Sequence, residues 1–265
     1  MSQPAPAQPP FNAAATPDTA AQRTAAPALR AKLGQQLLEE LGKGRAPAAD
    51  AALLSDLLAR GASVQEKNSH GQTALMVAIH YHHTDIAAAI LSAGASVHAR
   101  DDKDNAPLVW CGYMGDGDTA LKILQAGANI DDCNSIGRST LSMAASKGHH
   151  DFLKKLIGWG CDANHMDKRG DTLLTAAVQA QQVETVRLLI ELGADAHKPD
   201  RSGKTPAAIA QEKGYVKLAA AIESTLRLKK KKAFDDDVRQ ITEGTRGDVA
   251  LPAPLNIRKR PARGR

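Results

Sequence analysis

One apolar pattern recurs along the middle of the chain. The segments DIAAAILSAG (85–94), HDFLKKLIGWG (150–160) and VETVRLLIELG (183–193) carry apolar residues at i, i+3, i+4 and i+7, and each ends on Gly. That spacing lays one stripe along a helix of 3.6 residues per turn, and a terminal Gly supplies the left-handed residue that closes it. A second, shorter apolar segment precedes each of these, as in Thr73-Ala74-Leu75-Met76-Val77-Ala78 and Thr205-Pro206-Ala207-Ala208-Ile209-Ala210. The hydroxyls of Thr73, Ser139, Thr172 and Thr205 stand where they predict N-caps, and Pro107 and Pro206 suit a first helical turn.

The pattern has a period of 33 residues without insertion or deletion. The turn position falls at Gly71, Asp104, Gly137, Gly170 and Gly203, and a Gly followed by a small residue recurs at Gly61-Ala62, Gly94-Ala95, Gly127-Ala128, Gly160-Cys161 and Gly193-Ala194. The first-helix Leu recurs at Leu75, Leu108, Leu141 and Leu174, with Ala207 in the fifth copy, and Asn68, Asp101, Asn134, Asp167 and Asp200 open the turns. Ala78, Ala144, Ala145 and Ala177 are small where helices of neighbouring copies must approach closely. Within the second copy, Gly115-Asp116-Gly117 precedes the second helix. A Gly inside a helix costs roughly 1 kcal/mol, so fraying is expected there.

In this period, turn Gly and Thr-Pro-Leu-like motif the chain resembles the ankyrin repeat family over residues 34 to 224. The best copies are Thr73-Ala74-Leu75, Ala106-Pro107-Leu108, Thr172-Leu173-Leu174 and Thr205-Pro206-Ala207. The resemblance implies an all-α ankyrin repeat solenoid of hairpin-like turns and paired antiparallel helices. The His of the family's motif is replaced by Met76, Val109, Ser142, Thr175 and Ala208, a loss that bears on how neighbouring loops are tied and hence on stability. The expected organisation is an Ala/Pro-rich disordered leader (1–28), an N-terminal capping repeat (29–67), repeats at 68–100, 101–133, 134–166 and 167–199, a truncated C-terminal repeat (200–226) and a basic tail (227–265). Gln35, Gln36, Glu39 and Glu40 give the capping repeat its polar outer side.

Charge changes the picture at one end only. The chain carries +5 overall, and from Arg227 onward twelve Lys/Arg against five Asp/Glu give +7, so residues 1–226 sum to about −2. The tail blocks Lys229–Lys232 and Arg258–Arg265 have the composition of a binder of nucleic acid or anionic membrane, and equally of an export or nuclear-import signal or a solvated segment. Three irregularly spaced cysteines form no disulfide framework, and no uninterrupted apolar run reaches membrane-spanning length. A cytoplasmic protein is expected, with export to a host cell or nucleus as the alternative.

Candidate chemistry is sparse. His80, His82 and His83 lie in one copy and His149 and His150 two copies on, so they do not share an ion, and neither metal nor other cofactor is expected. Cys111 and Cys161 stand at small-residue positions and read as core; Cys133 reads as an exposed turn residue. Phosphate loops, nucleophile elbows and His-Glu-x-x-His are missing from the sequence, so neither an enzyme nor a small-molecule substrate is expected. The resemblance instead implies a concave surface of turn tips and first-helix ends that binds another protein. On it the sequence puts Tyr81, Tyr113 and Met114 as an anchor patch, beside the helix-end partner-binding candidate His80 and with Trp110 as neighbour or core. The basic residues Arg138, Lys147, Lys168, Arg169, Arg201 and Lys204 suit a partner with an acidic rim. The chain is read as a monomer.

Overall fold

Short helices in antiparallel pairs follow directly from the 33-residue pattern. The computed structural model describes residues 27–43 and 47–244. It contains α1 (Pro27–Gly42), α2 (Pro47–Ala59), α3 (Ala74–His80), α4 (Thr84–Ser92), α5 (Pro107–Met114), α6 (Gly117–Gln125), α7 (Thr140–Lys147), α8 (His150–Gly158), α9 (Leu173–Gln179), α10 (Val183–Glu191), α11 (Pro206–Glu212) and α12 (Val216–Gly244). Among the described residues there is no strand longer than an isolated bridge, and such bridges join Lys67 to Thr73, Cys133 to Ser139 and Met166 to Thr172. The chain is thus all-α. It divides into two units, residues 1–225 and 226–265.

In the first unit two layers of helices stack. The first helices pack in the order α1, α3, α5, α7, α9, α11, and the second helices in the order α2, α4, α6, α8. Leu75, Leu108, Leu141 and Leu174 are buried on the first helices and Ile90, Ile123, Leu156 and Leu189, at the matching places of the second helices, are buried too; Ala207 is only half-buried. The close approach shows best at Gly112 in α5, where an added Cβ would lie 2.3 Å from the Thr140 carbonyl oxygen of α7. Gln35, Gln36 and Glu39 are exposed on α1, as the outer side of a terminal repeat requires.

Capping follows the sequence with one exception. Ser139, Thr172 and Thr205 accept from the backbone N–H three residues on, whereas the Thr73 hydroxyl makes no cap bond and is buried without a partner. The second copy forms both of its helices, contrary to the expected fraying. Gly115 is the left-handed C-cap of α5 and Gly117 the first residue of α6, so neither sits in a helix interior, and Asp116 caps α6 by accepting from Thr119 N–H. Asp104 holds the left-handed conformation (φ 59°) of the turn Gly it replaces, a conformation Asp tolerates better than most residues.

The loss of the family's His is met by the backbone. Met76 and Val109 are simply buried, while the hydroxyls of Ser142 and Thr175 turn back on the carbonyls of their own caps, Ser139 and Thr172. Neighbouring turns are joined instead by a ladder: Asp102 N–H donates to His70 carbonyl, Ser135 to Lys103, Lys168 to Gly137 and Arg201 to Gly170, at 3.0–3.2 Å. Lys67 Nζ reaches the Arg100 carbonyl and the Arg100 guanidinium reaches Cys133, each 33 residues on.

In the second unit, α12 carries the Lys229–Lys232 block, with residues 227–236 exposed. The leader through residue 26, and Arg246 to Arg265 of the tail, lie outside the described residues. Among the described residues no helix is long and apolar enough to cross a membrane.

Candidate functional site

Each turn begins with an Asn or Asp whose side chain organises it. Asn68 Oδ1 accepts from the N–H groups of His70 and Gln72, Asp101 from Lys103 and Asn105, Asp167 from Arg169 and Asp171, and Asp200 from Ser202 and Lys204; Asn134 accepts from Arg138. These Asx turns fix the tip, so the residue at its end, Gln72, Asn105, Arg138, Asp171 or Lys204, is aimed the same way in every copy. Burial works against the charge of Asp200, but the Ser202 hydroxyl and the N–H groups of Lys204 and Ser202 outweigh it and hold the carboxyl below the usual carboxylate range.

Eight residues further, at the end of the first helix, stands the residue the tip faces. In the last three copies the two are joined: Arg138 donates to Ser146 Oγ (3.1 Å), Gln179 to Asp171 Oδ1 (2.9 Å), and Lys204 pairs with Glu212. In the first two copies they are not. Gln72 accepts from Asn68 (2.9 Å) and the Asn105 amide donates to Asp101, while the helix ends carry the rings of His80 and Tyr113. Sequence reasoning treated tips and helix ends as separate rows and missed this clasp; the i, i+8 pairing of complementary side chains was the signal for it.

Where the clasp is missing, rings line up. His80 meets Tyr81 (centroids 4.8 Å) and Trp110 (5.4 Å) edge to face, Trp110 meets Tyr113 in the same way (5.8 Å), and Lys147 Nζ lies 4.4 Å from the Tyr113 ring centroid. The Trp110 Nε1–H donates to Asp101 Oδ2 (2.9 Å), which locks the indole. Beside these rings is a groove of about 250 Å³ lined by His80, Lys103, Asn105, Trp110, Tyr113, Asn134 and Met143. Tyr113 is 40% exposed and Trp110 half-buried, so Trp110 belongs to the surface cluster and not to the core.

The structure brings together His80, Tyr81, Tyr113 and Lys147 from the expected set, and separates others. Met114 is half-buried and does not line the groove; the methionine there is Met143. Tyr81 is tied through its hydroxyl to the Gly42 carbonyl (3.1 Å), so it also braces the N-terminal helix α1. Of the basic residues, Arg169 is paired with Asp171 and Lys204 with Glu212, so neither offers an uncompensated charge. Arg138 meets a neutral hydroxyl, and Lys168 and Arg201 form no ion pair among the described residues. Asn134 and Met143 were missed, because turn-opening and mid-helix positions do not announce themselves as groove walls.

The remaining chemistry is structural. His149 bonds the Tyr113 carbonyl (2.8 Å) and His150 the Thr185 hydroxyl (3.0 Å), each linking a different neighbour, while His82 takes the left-handed conformation (φ 58°) that Gly115, Gly148 and Gly214 hold at its equivalents. Cys133 is buried at 3% exposure, contrary to the expected exposed turn, because it sits in the bridge to Ser139 with its thiol turned to the Asp131 carbonyl. Burial pushes the thiols of Cys111, Cys133 and Cys161 up, away from reactive thiolate character.

Comparison with known proteins places this architecture. The profile for ankyrin repeats (3 copies) matches residues 46–134 and 141–225, more than half of the chain. Among solved structures, the crystal structure of EF0377, an ankyrin repeat protein, is 28% identical with a TM-score of 0.61, covering 72% of this chain and 97% of that one. No curated protein matches the chain.

Proposed function

We propose that this chain, which belongs to the ankyrin-repeat family, is a non-catalytic module that binds another protein through its concave face, across the turn tips and first-helix ends. Ankyrin repeats are in general protein–protein interaction modules and the fold is typically non-catalytic. The observation that carries the reading is the row of partly exposed rings, His80, Tyr81, Trp110 and Tyr113, held rigid beside a groove at the two copies that lack the clasp. Rigid aromatic anchors next to a cavity are the surface elements that concentrate binding energy. Met114 flanks the anchors, and Arg138, Lys147, Lys168 and Arg201, with Arg169 and Lys204 in their internal pairs, form a basic rim toward an acidic partner surface. Three free cysteines suit a cytoplasmic setting.

The test is capture of partners from native extract by the full-length chain and by three variants. Tyr113→Ala is expected to lose the captured partner, since truncating one interface anchor costs about 2 kcal/mol or more, over tenfold in affinity. A second variant with Lys229–Lys232 changed to Gln is expected to keep it. Tyr81→Phe retains the ring while releasing Gly42, which separates binding from bracing. Partner retention by Tyr113→Ala together with loss in the lysine variant would sink the concave-face reading and leave recognition of nucleic acid or anionic membrane through the tail.

A further inference from the structure

The groove at the unclasped copies has a definite chemistry. Its walls are apolar rings and a thioether, Trp110, Tyr113 and Met143, and its polar rim is cationic and donor-rich. Lys103 lines the groove and forms no ion pair among the described residues. Lys147 Nζ stands over the Tyr113 ring with no acid partner among the described residues. The Asn134 side chain uses its oxygen on Arg138 N–H, which leaves its amide N–H groups for another acceptor. The acid bonded to the ring cluster, Asp101, is already engaged by Trp110 Nε1–H and the Asn105 amide. Asp102 and Asp104 flank Lys103 on the tip but do not line the groove, and Asp104 lies 4.0 Å from Arg100. The contrast with the last copy is direct: there the tip and helix-end charges cancel inside one repeat, Lys204 with Glu212.

We infer that the groove receives a short acidic linear segment of the partner protein, with one Leu- or Phe-sized side chain seated between Trp110 and Met143 and neighbouring carboxylates on Lys103 and Lys147. The inference rests on the concave-face reading and deepens it by naming the chemistry of the occupant. An ammonium placed over a ring face still has N–H donors to spare, so Lys147 meets a carboxylate while Tyr113 holds it in position. That pre-positioning removes part of the ordering cost of the contact. Asn134 adds a neutral donor for the segment's backbone carbonyl. A basic segment would have to displace Lys147 from Tyr113 and sit against Lys103, with Asp101 already taken.

The experiment is selection of a random displayed peptide library on the immobilised full-length chain, followed by fluorescence anisotropy with the selected peptides. The expected peptides carry one large apolar residue flanked by Asp or Glu. Their affinity should fall about tenfold for Lys147→Glu, and similarly for Lys103→Glu, as the loss of one charge-assisted contact implies. It should also weaken as salt rises from about 50 to about 200 mM. Thermal unfolding of both variants, at exposed positions, should match the unmodified chain. Peptides that require Trp110 and Tyr113 but show no acidic bias, or ignore both charge reversals, overturn this inference and leave the concave-face reading standing. Selected peptides indifferent to Tyr113→Ala overturn both. Equal competition by an oligothymidylate at matched charge, sensitive to Lys147→Glu, would assign the groove to nucleic acid and overturn the inference.

Discussion

The two copies at 68–100 and 101–133 and the three that follow are built on the same core and differ at the concave edge. In both groups a first-helix leucine is fully buried and an Asx residue shapes the turn. In the later group the tip residue spans eight positions to the end of its own first helix, through Arg138–Ser146, Asp171–Gln179 and Lys204–Glu212. In the earlier group the tip amides fold back onto Asn68 and Asp101, and His80 and Tyr113 are left facing outward. Internal satisfaction and availability for a partner are therefore alternatives at one structural position. The repeat that bonds to itself ties up its tip and helix end, and the repeat that does not leaves its helix-end ring beside the groove.

If the difference is confined to the edge, core substitutions must cost the same in both groups. Leu108→Ala and Leu174→Ala, each deleting a fully buried side chain, are expected to destabilise by about 2–5 kcal/mol apiece in urea unfolding. A cost for Leu108→Ala well below that of Leu174→Ala would show that the groove reaches into the core and that the two groups are not equivalent inside.

Smaller, and specific to the open group, is the link between Trp110 and Asp101. Trp110→Phe keeps a ring but removes the Nε1–H donor from a partly buried carboxylate that retains the Asn105 amide. The expected loss is about 1–2 kcal/mol, the range for a hydrogen bond to a charged group with partial compensation. Binding through the groove should weaken beyond what stability explains, because the indole is no longer locked. A variant as stable and as good a binder as the unmodified chain would mean that the ring's orientation is set by packing alone.

Most of the fold was legible from residue spacing, because a period of 33 with a Gly at two fixed places leaves few alternatives. What was misread was local. Gly115 and Gly117 looked like helix interior and proved to be cap and first turn, since a shift of one or two residues in a boundary converts a penalty into a preference. Cys133 looked like a surface turn residue because turns are polar as a class, yet this turn bridges back to Ser139 and covers it. At the candidate site, Tyr81, Tyr113 and His80 were readable as aromatic residues at helix ends, whereas Asn134 and Met143 come from a turn opening and a helix of the next copy and meet these rings only when the copies stack. Tip and helix-end charges read one residue at a time also overstated the basic rim, since two of its members are neutralised within their own repeat.

The clasp itself should be worth little to stability. Lys204 and Glu212 are both about half exposed, and such pairs contribute about 0–1 kcal/mol. Glu212→Gln is accordingly expected to shift the urea midpoint by no more than about 0.5 kcal/mol equivalent, while freeing Lys204. A much larger loss would make the clasp a structural strut, and its absence from the first two copies a weakness in place of an opening.

The smallest expected effect tests how the two groups use their Asx carboxylates. Asp101 spends its second oxygen on Trp110 and Asn105, whereas in the clasped copy Asp200 is stabilised as an anion by the Ser202 hydroxyl and the N–H groups of Lys204 and Ser202. Because the folded carboxyl of Asp200 lies below its unfolded value, its contribution is present above the ordinary carboxylate range and is lost as pH falls through the depressed folded value. Asn68 and Asn134 hold the same turn without a charge, so Asp200→Asn should keep the turn geometry and lose at neutral pH only the small contribution of the charge. Its thermal midpoint should then decline less than that of the unmodified chain between about pH 5 and pH 3. Parallel acid profiles for the two proteins would mean that Asp200 is held by geometry alone, and that the charge on a turn-opening Asx matters only in the open copies, where Asp101 anchors the indole.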